Sequence, residues 1–372
     1  MEHKRDESTL SISYGAFTHN GSRYHQLNQD VYFCMERWVD SAAPQPTKSK
    51  SKSAKEPTPA RFIGGGGLTT GKTSAVGKRN SHKEKVAGKS KMHAWCVFDG
   101  HDMQGEAAAQ IAAQTFEQHL SAITTPHISN DEILAVFKGA HANILEVYEN
   151  PPAQCTYVAP GYKSLGEYSL KIDKDKRPVY TTPGAKSARP LEFGTTALMC
   201  VLFEETKELV VAWVGDSKAI LVSKDAHSDD MLVQDLTISH NGRNPDEEAR
   251  INRDYPGAVA FSSDGYICPR VPGGPTHHLA MTRALGHKAL YEYGVIPEPQ
   301  VRRLRVRDND FFLLAASDGV WDNLSDGEIL DTVLDCSSPI KGVTELVYSV
   351  MDVTQMKMVD NTTAVLVHFD IE

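Results

Sequence analysis

The sequence predicts an α+β fold built on antiparallel sheet, and three observations carry that class. Short runs of β-branched and aromatic residues cluster apart from stretches of helical period, the pattern of α+β rather than of alternating α/β chains. The apolar runs 196–203 and 208–214 are joined by a short polar turn, which only antiparallel neighbours allow. The length of 372 residues gives room for one large core, or for two ordinary ones, without covalent staples.

Taken in order, Asp30 through Val39 runs outward and Met92 to Phe98 returns, a hairpin interrupted by residues 41–91. That segment is rich in Ser, Thr, Lys, Gly and Pro and nearly free of large apolar side chains. It cannot bury enough surface to offset ordering its backbone and is expected to be disordered. Some nine strand residues at ~3.3 Å each put its base roughly 30 Å from Asp99. Met103, Ala107, Ala108, Ile111, Thr115, Phe116 and Leu120 repeat at helical spacing over 103–121. Ile133, Leu134, Phe137, Ile144, Leu145 and Tyr148 do the same over 131–148. A second insertion covers about 150–190, with Pro151, Pro152, Pro160, Pro178 and Pro183, and its length calls for a surface element of its own. Phe311 to Ser317 and Thr363 to Phe369 read as buried strands. Between them, Ser325 and Glu328 have the spacing of a capping box that opens a helix, and 340–354 gives one more.

Composition narrows the setting. Cys34, Cys96, Cys155, Cys200, Cys268 and Cys336 form no Cys-x-x-Cys pair, and several lie in apolar runs where free thiols act as small hydrophobes. With no signal peptide, no 18-residue apolar span and no myristoylation glycine, a reducing, soluble compartment is expected and a membrane span is not. The cytoplasm is the natural location, with the nucleus as the alternative if the lysine clusters act as an address. The net charge of -9 hides an asymmetry, because residues 41–91 hold twelve Lys and Arg against two Glu. The remainder is correspondingly acidic.

Five aspartates sit at the ends of apolar runs. Asp99 follows Trp95 to Phe98, Asp216 follows Val210 to Gly215, and Asp318 follows Phe311 to Ser317. Asp30 precedes Val31 to Phe33, and Asp360 precedes Thr363 to Phe369. Any one alone reads as a turn residue. Five converging on the rim of a sheet core are costly unless neutralised, and hard cations with oxygen ligands neutralise them most simply.

The surrounding residues carry a resemblance. Val97-Phe98-Asp99-Gly100-His101, Gly194-Thr195-Thr196-Ala197, Val214-Gly215-Asp216-Ser217-Lys218-Ala219, Thr282-Arg283-Ala284-Leu285-Gly286, Ala316-Ser317-Asp318-Gly319-Val320-Trp321-Asp322 and Asp360-Asn361-Thr362-Thr363 occur in this order. The series resembles the motifs of the type 2C protein phosphatases, the metal-dependent serine/threonine family, from about Tyr14 to the C-terminus. The resemblance implies a single phosphatase domain over 1–372, with two central antiparallel sheets packed face to face and helices outside each, interrupted at 41–91 and 150–190. It implies hydrolysis of phosphoserine and phosphothreonine in proteins by a metal-bridging hydroxide, with no covalent enzyme intermediate.

Residue by residue, the resemblance implies two Mg2+ or Mn2+ ions. Asp99 would bridge them, the Gly100 carbonyl would bind one, and Asp318 and Asp360 would complete the other. Asp30 would bind or orient metal-held waters, and Asp216 and Asp322 match a weaker third site. His101 would be the general acid for the leaving oxygen. Some positions depart from the family pattern. Gln29 stands where Glu or Gln precedes Asp30, and His25 occupies the usual place of the phosphate-binding Arg, leaving Arg23 two residues away as the candidate. Asp102-Met103 replaces Gly-Gly, and His287 replaces the Asp after Leu285-Gly286. These departures motivate the alternative of a catalytically impaired pseudophosphatase that acts as a regulatory binding module.

Other chemistries fit less well. Gly66-Gly67-Leu68-Thr69-Thr70-Gly71-Lys72-Thr73 spells a P-loop, but only Phe62-Ile63 precede it and no apolar-striped helix follows. No Cys stands six residues before an Arg as a cysteine phosphatase requires. Asp173-Lys174-Asp175 lacks the apolar strand of an aspartyl-phosphate site, and His277-His278 reads as solvated. Phosphoprotein substrates and a monomer are expected. Nucleic acid or another anionic surface is a candidate contact for the basic insert.

Overall fold

The computed structural model describes residues 10–21, 28–40, 74–77, 88–157, 166–174, 176–182, 188–228, 230–270, 278–355, 357 and 359–371. The chain opens with β1 (Leu10–His19), β2 (Asp30–Asp40), β3 (Ser74–Gly77) and β4 (Lys89–Asp102), followed by α1 (Gly105–Ser121) and α2 (Asn130–Glu149). Next come β5 (Gln154–Tyr157), β6 (Gly166–Ile172), β7 (Pro178–Thr181) and β8 (Arg189–Pro190). The middle of the chain supplies β9 (Phe193–Thr195), β10 (Ala197–Phe203), β11 (Glu208–Val214), β12 (Lys218–Lys224) and β13 (Met231–Asp235). A peripheral group follows: α3 (Pro245–Asp254), β14 (Val259–Phe261), β15 (Ile267–Pro269), β16 (Leu285–Gly286) and α4 (Lys288–Tyr291). The last elements are β17 (Gln300–Arg305), β18 (Asp310–Ala316), α5 (Asp318–Trp321), α6 (Asp326–Leu334), α7 (Pro339–Val353) and β19 (Thr362–Ile371).

Two antiparallel sheets form the centre. One runs β13-β12-β18-β19-β1-β3. In the other, β4 lies between β2 and β10, with β11 and β17 beyond, and β9 and β16 join at the far end of β4.

Side-chain alternation divides the core into layers. Trp95 and Val97 of β4 meet Leu221, Leu313, Val365 and Val367 of the facing sheet. Ala94, Cys96 and Phe98 point the other way, onto Phe116 of α1 and Phe137 of α2. On the opposite outer face, Leu314 and Leu366 pack against Leu346 and Val350 of α7. The result is the helix–sheet–sheet–helix sandwich expected. It also explains why β10 is apolar at every position, since both of its faces are covered.

The expected capping box at Ser325 is closed, and α2 opens on a second one at Ser129. Ser129 and Ser325 accept from the backbone N–H groups of Glu132 and Glu328, whose carboxylates accept in return. The interrupted hairpin is present as β2 and β4, in register from Asp30 opposite Asp99 to Asp40 opposite Lys89. Residues 150–190 contribute a small four-stranded sheet, β5-β6-β7-β8.

The expectation of disorder over 41–91 needs correction where that segment is described. Residues 74–77 form β3, paired with β1 from Tyr14 opposite Gly77 to Phe17 opposite Ser74, and β4 begins at Lys89. Backbone hydrogen bonds to an open sheet edge suffice for a strand, so low apolar content did not reveal it. The P-loop-like stretch 66–73 lies outside the described residues.

Candidate active site

The aspartates gather where β2, β4, β18 and β19 reach one rim of the sandwich. Asp30 is the first residue of β2 and stands opposite Asp99 in the ladder. Asp99 is not a strand end as its apolar run suggests. The strand continues through Gly100 to Asp102, changing partner from β10 to β9. Asp216 follows β11, Asp318 opens α5 immediately after β18, and Asp360 lies just before β19. Asp322 lies one residue past α5 and is exposed.

The backbone of Asp99 is held on both sides. Its N–H donates to the Thr196 hydroxyl at 3.0 Å. Its carbonyl accepts from the Thr196 N–H at 2.8 Å and from the Thr195 hydroxyl at 3.0 Å. Asp30 is fully buried, and its Oδ2 accepts from the Ser317 hydroxyl at 2.8 Å. That hydroxyl in turn accepts from the Thr363 N–H at 3.0 Å, tying β2, β18 and β19 together. Gly100 donates to the Gln29 carbonyl at 3.2 Å, and a Cβ on it would stand 2.2 Å from the Gly105 carbonyl oxygen. Only glycine fits there.

Gln29 is structural. Its N–H donates to Asn361 Oδ1 at 2.8 Å, and its side-chain amide donates to the Asp102 carbonyl at 2.6 Å. Sequence reasoning missed Ser317, Thr196 and Asn361, although each lies within or beside a motif aspartate. Their role is to position backbone and carboxylate, and no residue pattern announces that.

The electrostatics are those of crowded acids. Burial pushes the Asp30 carboxyl up to about 7, against the lowering pull of the Ser317 hydrogen bond. Asp99 is raised well above the usual carboxylate range by burial first, then by Asp30, Asp318, Asp360 and Asp216. Asp318 is raised well above it by burial and then by Asp216, Asp360, Asp322 and Asp30. Asp216 is also raised, chiefly by burial, with His101 opposing. Burial and Asp360 raise Asp322, while Arg243 pulls it down.

Oδ1 of Asp30, Asp216 and Asp318 is buried without a hydrogen-bond partner. Among the described residues, no three acidic, His or Cys side chains close around a single point as in a finished metal cage. The group is instead an open set of oxygen donors carrying excess negative charge. Its donor chemistry fits hard divalent cations, and no soft or nitrogen-rich ligand set is offered. Asp30, Asp99, Asp216, Asp318, Asp322 and Asp360, with the Gly100 carbonyl, are the groups that could hold them.

His101 is partly buried, with Nε2 3.8 Å from Asp99 Oδ1. Asp102, beside it, adopts φ 67°, the left-handed conformation in which glycine is easiest. Arg23, His25 and His277 lie outside the described residues, and His278 is exposed.

The chain is similar to known proteins over most of its length. The family model "Protein phosphatase 2C" matches residues 69–360. "Probable protein phosphatase 2C 12" of Oryza sativa subsp. japonica is 37% identical over 149 residues, covering 40% of this chain and 37% of that protein. "Probable protein phosphatase 2C 75" of the same plant is 27% identical over 299 residues, 76% of this chain and 67% of its own length. The matches to the first three curated relatives span 28% to 37% of those proteins. Among solved structures, the serine-threonine phosphatase 2C of Toxoplasma gondii superposes with a TM-score of 0.53 at 17% identity, over 76% of this chain and 90% of its own. A C. elegans sex determining protein gives 0.53 at 16% identity, over 98% of this chain and 66% of its own. At these identities the structures speak for the fold alone.

Proposed function

Because the chain belongs to the protein phosphatase 2C family, we propose that it hydrolyses phosphoserine and phosphothreonine in proteins with the help of Mg2+ or Mn2+. The observation that carries this reading is the buried, mutually repelling set Asp30, Asp99 and Asp318. Such a set costs stability unless cations neutralise it.

Asp99, the Gly100 carbonyl, Asp318 and Asp360 would hold two cations, with Asp30 holding associated waters and Asp216 and Asp322 a weaker third. When bound, such cations neutralise the phosphate dianion and lower the pKa of the water they hold. The chain's own contribution is positional and acidic. Thr195 and Thr196 fix the Asp99 backbone, and Ser317 fixes Asp30. Arg23 is the proposed phosphate-binding cation.

His101 supplies a proton to the seryl or threonyl oxygen. As the water oxygen bonds to phosphorus, the bond from phosphorus to the alkyl oxygen breaks. The His101 proton caps the departing alkoxide, the attacking water releases one proton to solvent and His101 regains one from solvent, so inorganic phosphate and a free hydroxyl form without a covalent enzyme intermediate. The proposed substrates are phosphoproteins, met by a monomer. Among the described residues no helix is long and apolar enough to cross a membrane.

The test is phosphate release from a phosphothreonine peptide with manganese, with and without a chelator. Release that needs the cation and is lost in Asp99→Ala supports the reading. Release indifferent to both would remove it. Cation binding without turnover by the wild type would instead identify a pseudophosphatase.

A further inference from the structure

His287 stands where the family pattern has Asp, and its surroundings are unusual. The residue is fully buried and has a left-handed backbone, φ 49°. With its proton on Nδ1, the ring donates to Oε1 of Glu192 at 3.2 Å. Glu192 is itself only 1% exposed, and its Oε2 accepts from the Ala289 N–H at 3.2 Å. The backbone N–H of His287 donates to the Phe193 carbonyl at 2.8 Å. Ring and backbone are thus tied to two adjacent residues at the start of β9.

What this pair faces is His101. Gly194 is the ladder partner of His101, and a Cβ on Gly194 would stand 2.4 Å from His287 Cδ2. The missing side chain is what lets the His287 imidazole lie beside the His101 position. The two ring centroids are 6.3 Å apart with their planes at 53°. His101 therefore has Asp99 near one ring nitrogen and a second imidazole, anchored by a buried carboxylate, nearby.

We propose that His287, held by Glu192, is a positioning residue for His101, limiting the orientations in which its imidazole can meet the leaving oxygen. The inference rests on the phosphatase reading above for its catalytic meaning, but not for its geometry. A buried ion-pair or hydrogen-bonded ring that backs a proton donor restricts its rotamer, and orientation errors of a fraction of an ångström are costly to proton transfer.

The test uses leaving groups of different basicity. A threonyl alkoxide needs a proton to depart, whereas p-nitrophenolate leaves without one. In His287→Phe, kcat for a phosphothreonine peptide should fall about tenfold, a part of the ~10²–10⁴-fold that a general acid contributes. Turnover of p-nitrophenyl phosphate should change by less than about twofold. Glu192→Gln, which keeps shape and folds more safely, should show the same split with a smaller peptide loss. In the cation-free protein, the His101 imidazole NMR signals, assigned by their loss in His101→Gln, should shift in both variants.

Equal losses on both substrates would mean a structural role and overturn the proposal. So would unmoved His101 signals in a folded variant. If the wild type turns over neither substrate, the phosphatase reading fails, and the NMR comparison alone decides whether His287 orients His101.

Discussion

Asp30 and Asp99 face one another directly across the β2–β4 ladder, both buried, at the position where the hairpin meets the rim. Directly opposed residues of an antiparallel pair project to the same face with Cβ atoms about 5 Å apart, and like charges there are destabilising. The ladder therefore holds two acids together that would separate if free. This arrangement makes the charged form of both acids costly, which is the physical basis of the proposed cation requirement.

The pH dependence follows from the raised carboxyl pKa values. Asp30 moves from an ordinary carboxylate value to about 7, and Asp99 and Asp318 are also raised. Between the unfolded and folded values the native state retains protons that the unfolded chain releases. Without cations, the Asp30 contribution to stability is therefore fullest below about pH 4 and is lost as pH rises through about 7, and Asp99 and Asp318 act in the same direction. Divalent cations bound at the proposed site would replace those protons, so manganese should raise Tm more at pH 8 than at pH 5.5. Calorimetry at both values, with Asp30→Asn flattening the cation-free profile, checks this. A larger manganese shift at pH 5.5 would contradict it.

Ser317→Ala should expose how far the carboxylate geometry depends on one hydroxyl. The change removes the donor to Asp30 and the acceptor for Thr363 N–H. Leaving buried partners unsatisfied costs about 1–3 kcal/mol, which urea unfolding would register. Cation affinity should weaken in parallel. Unchanged stability and affinity would show that Ser317 is passive.

Gly100→Ala should be among the more damaging small substitutions. The new methyl would meet the Gly105 carbonyl oxygen at 2.2 Å and carbon at 2.4 Å, and the Gln29 carbonyl oxygen at 2.8 Å. All are backbone atoms and cannot swing aside. Overpacking of this kind costs about 1–3 kcal/mol or more and would displace Asp99 and His101. Thermal denaturation and peptide turnover should both fall, and a variant with wild-type values would show that the rim is softer than its contacts imply.

The basic insert is anchored at Asp40 and Lys89, at the far end of the β2–β4 ladder from the site. The β2–β4 ladder extends from Asp30 and Asp99 to Asp40 and Lys89, roughly 30 Å at ~3.3 Å per residue. Removing 43–72, which leaves β3 in place, should leave p-nitrophenyl phosphate turnover nearly unchanged. Any binding of polyanions through this segment should weaken as salt rises, since exposed charges are screened over ~8–10 Å. Loss of small-substrate turnover on deletion would mean that the insert reaches the catalytic rim.

Much of this architecture was legible in the sequence because its elements have strong local periods. The helical stripe carrying Phe116 and Leu120, the Ser325–Glu328 cap and the β10–β11 hairpin each declare themselves within a few residues. The aspartates were legible as a group, since apolar runs ending in acid recur around one rim. β3 was not, because pairing with β1 rests on backbone groups that composition does not encode. Nor was the extension of β4 past Asp99, where the strand leaves the main sheet core and its side-chain pattern ceases to be apolar. The hydrogen bonds of Ser317, Thr196 and Gln29 join residues distant in sequence, and no spacing rule foretells them.

The central claim is that Asp99 and its neighbours are a divalent-cation site, and titration calorimetry with manganese tests it most directly. The wild type should bind about two ions per chain at its tighter sites, as two-metal hydrolases do, with proton release that grows as pH falls toward 7. Asp99→Asn, which keeps the shape and removes the charge, should abolish binding at one or both of these sites while the protein stays folded. Manganese binding of equal stoichiometry and affinity in wild type and Asp99→Asn would contradict the account.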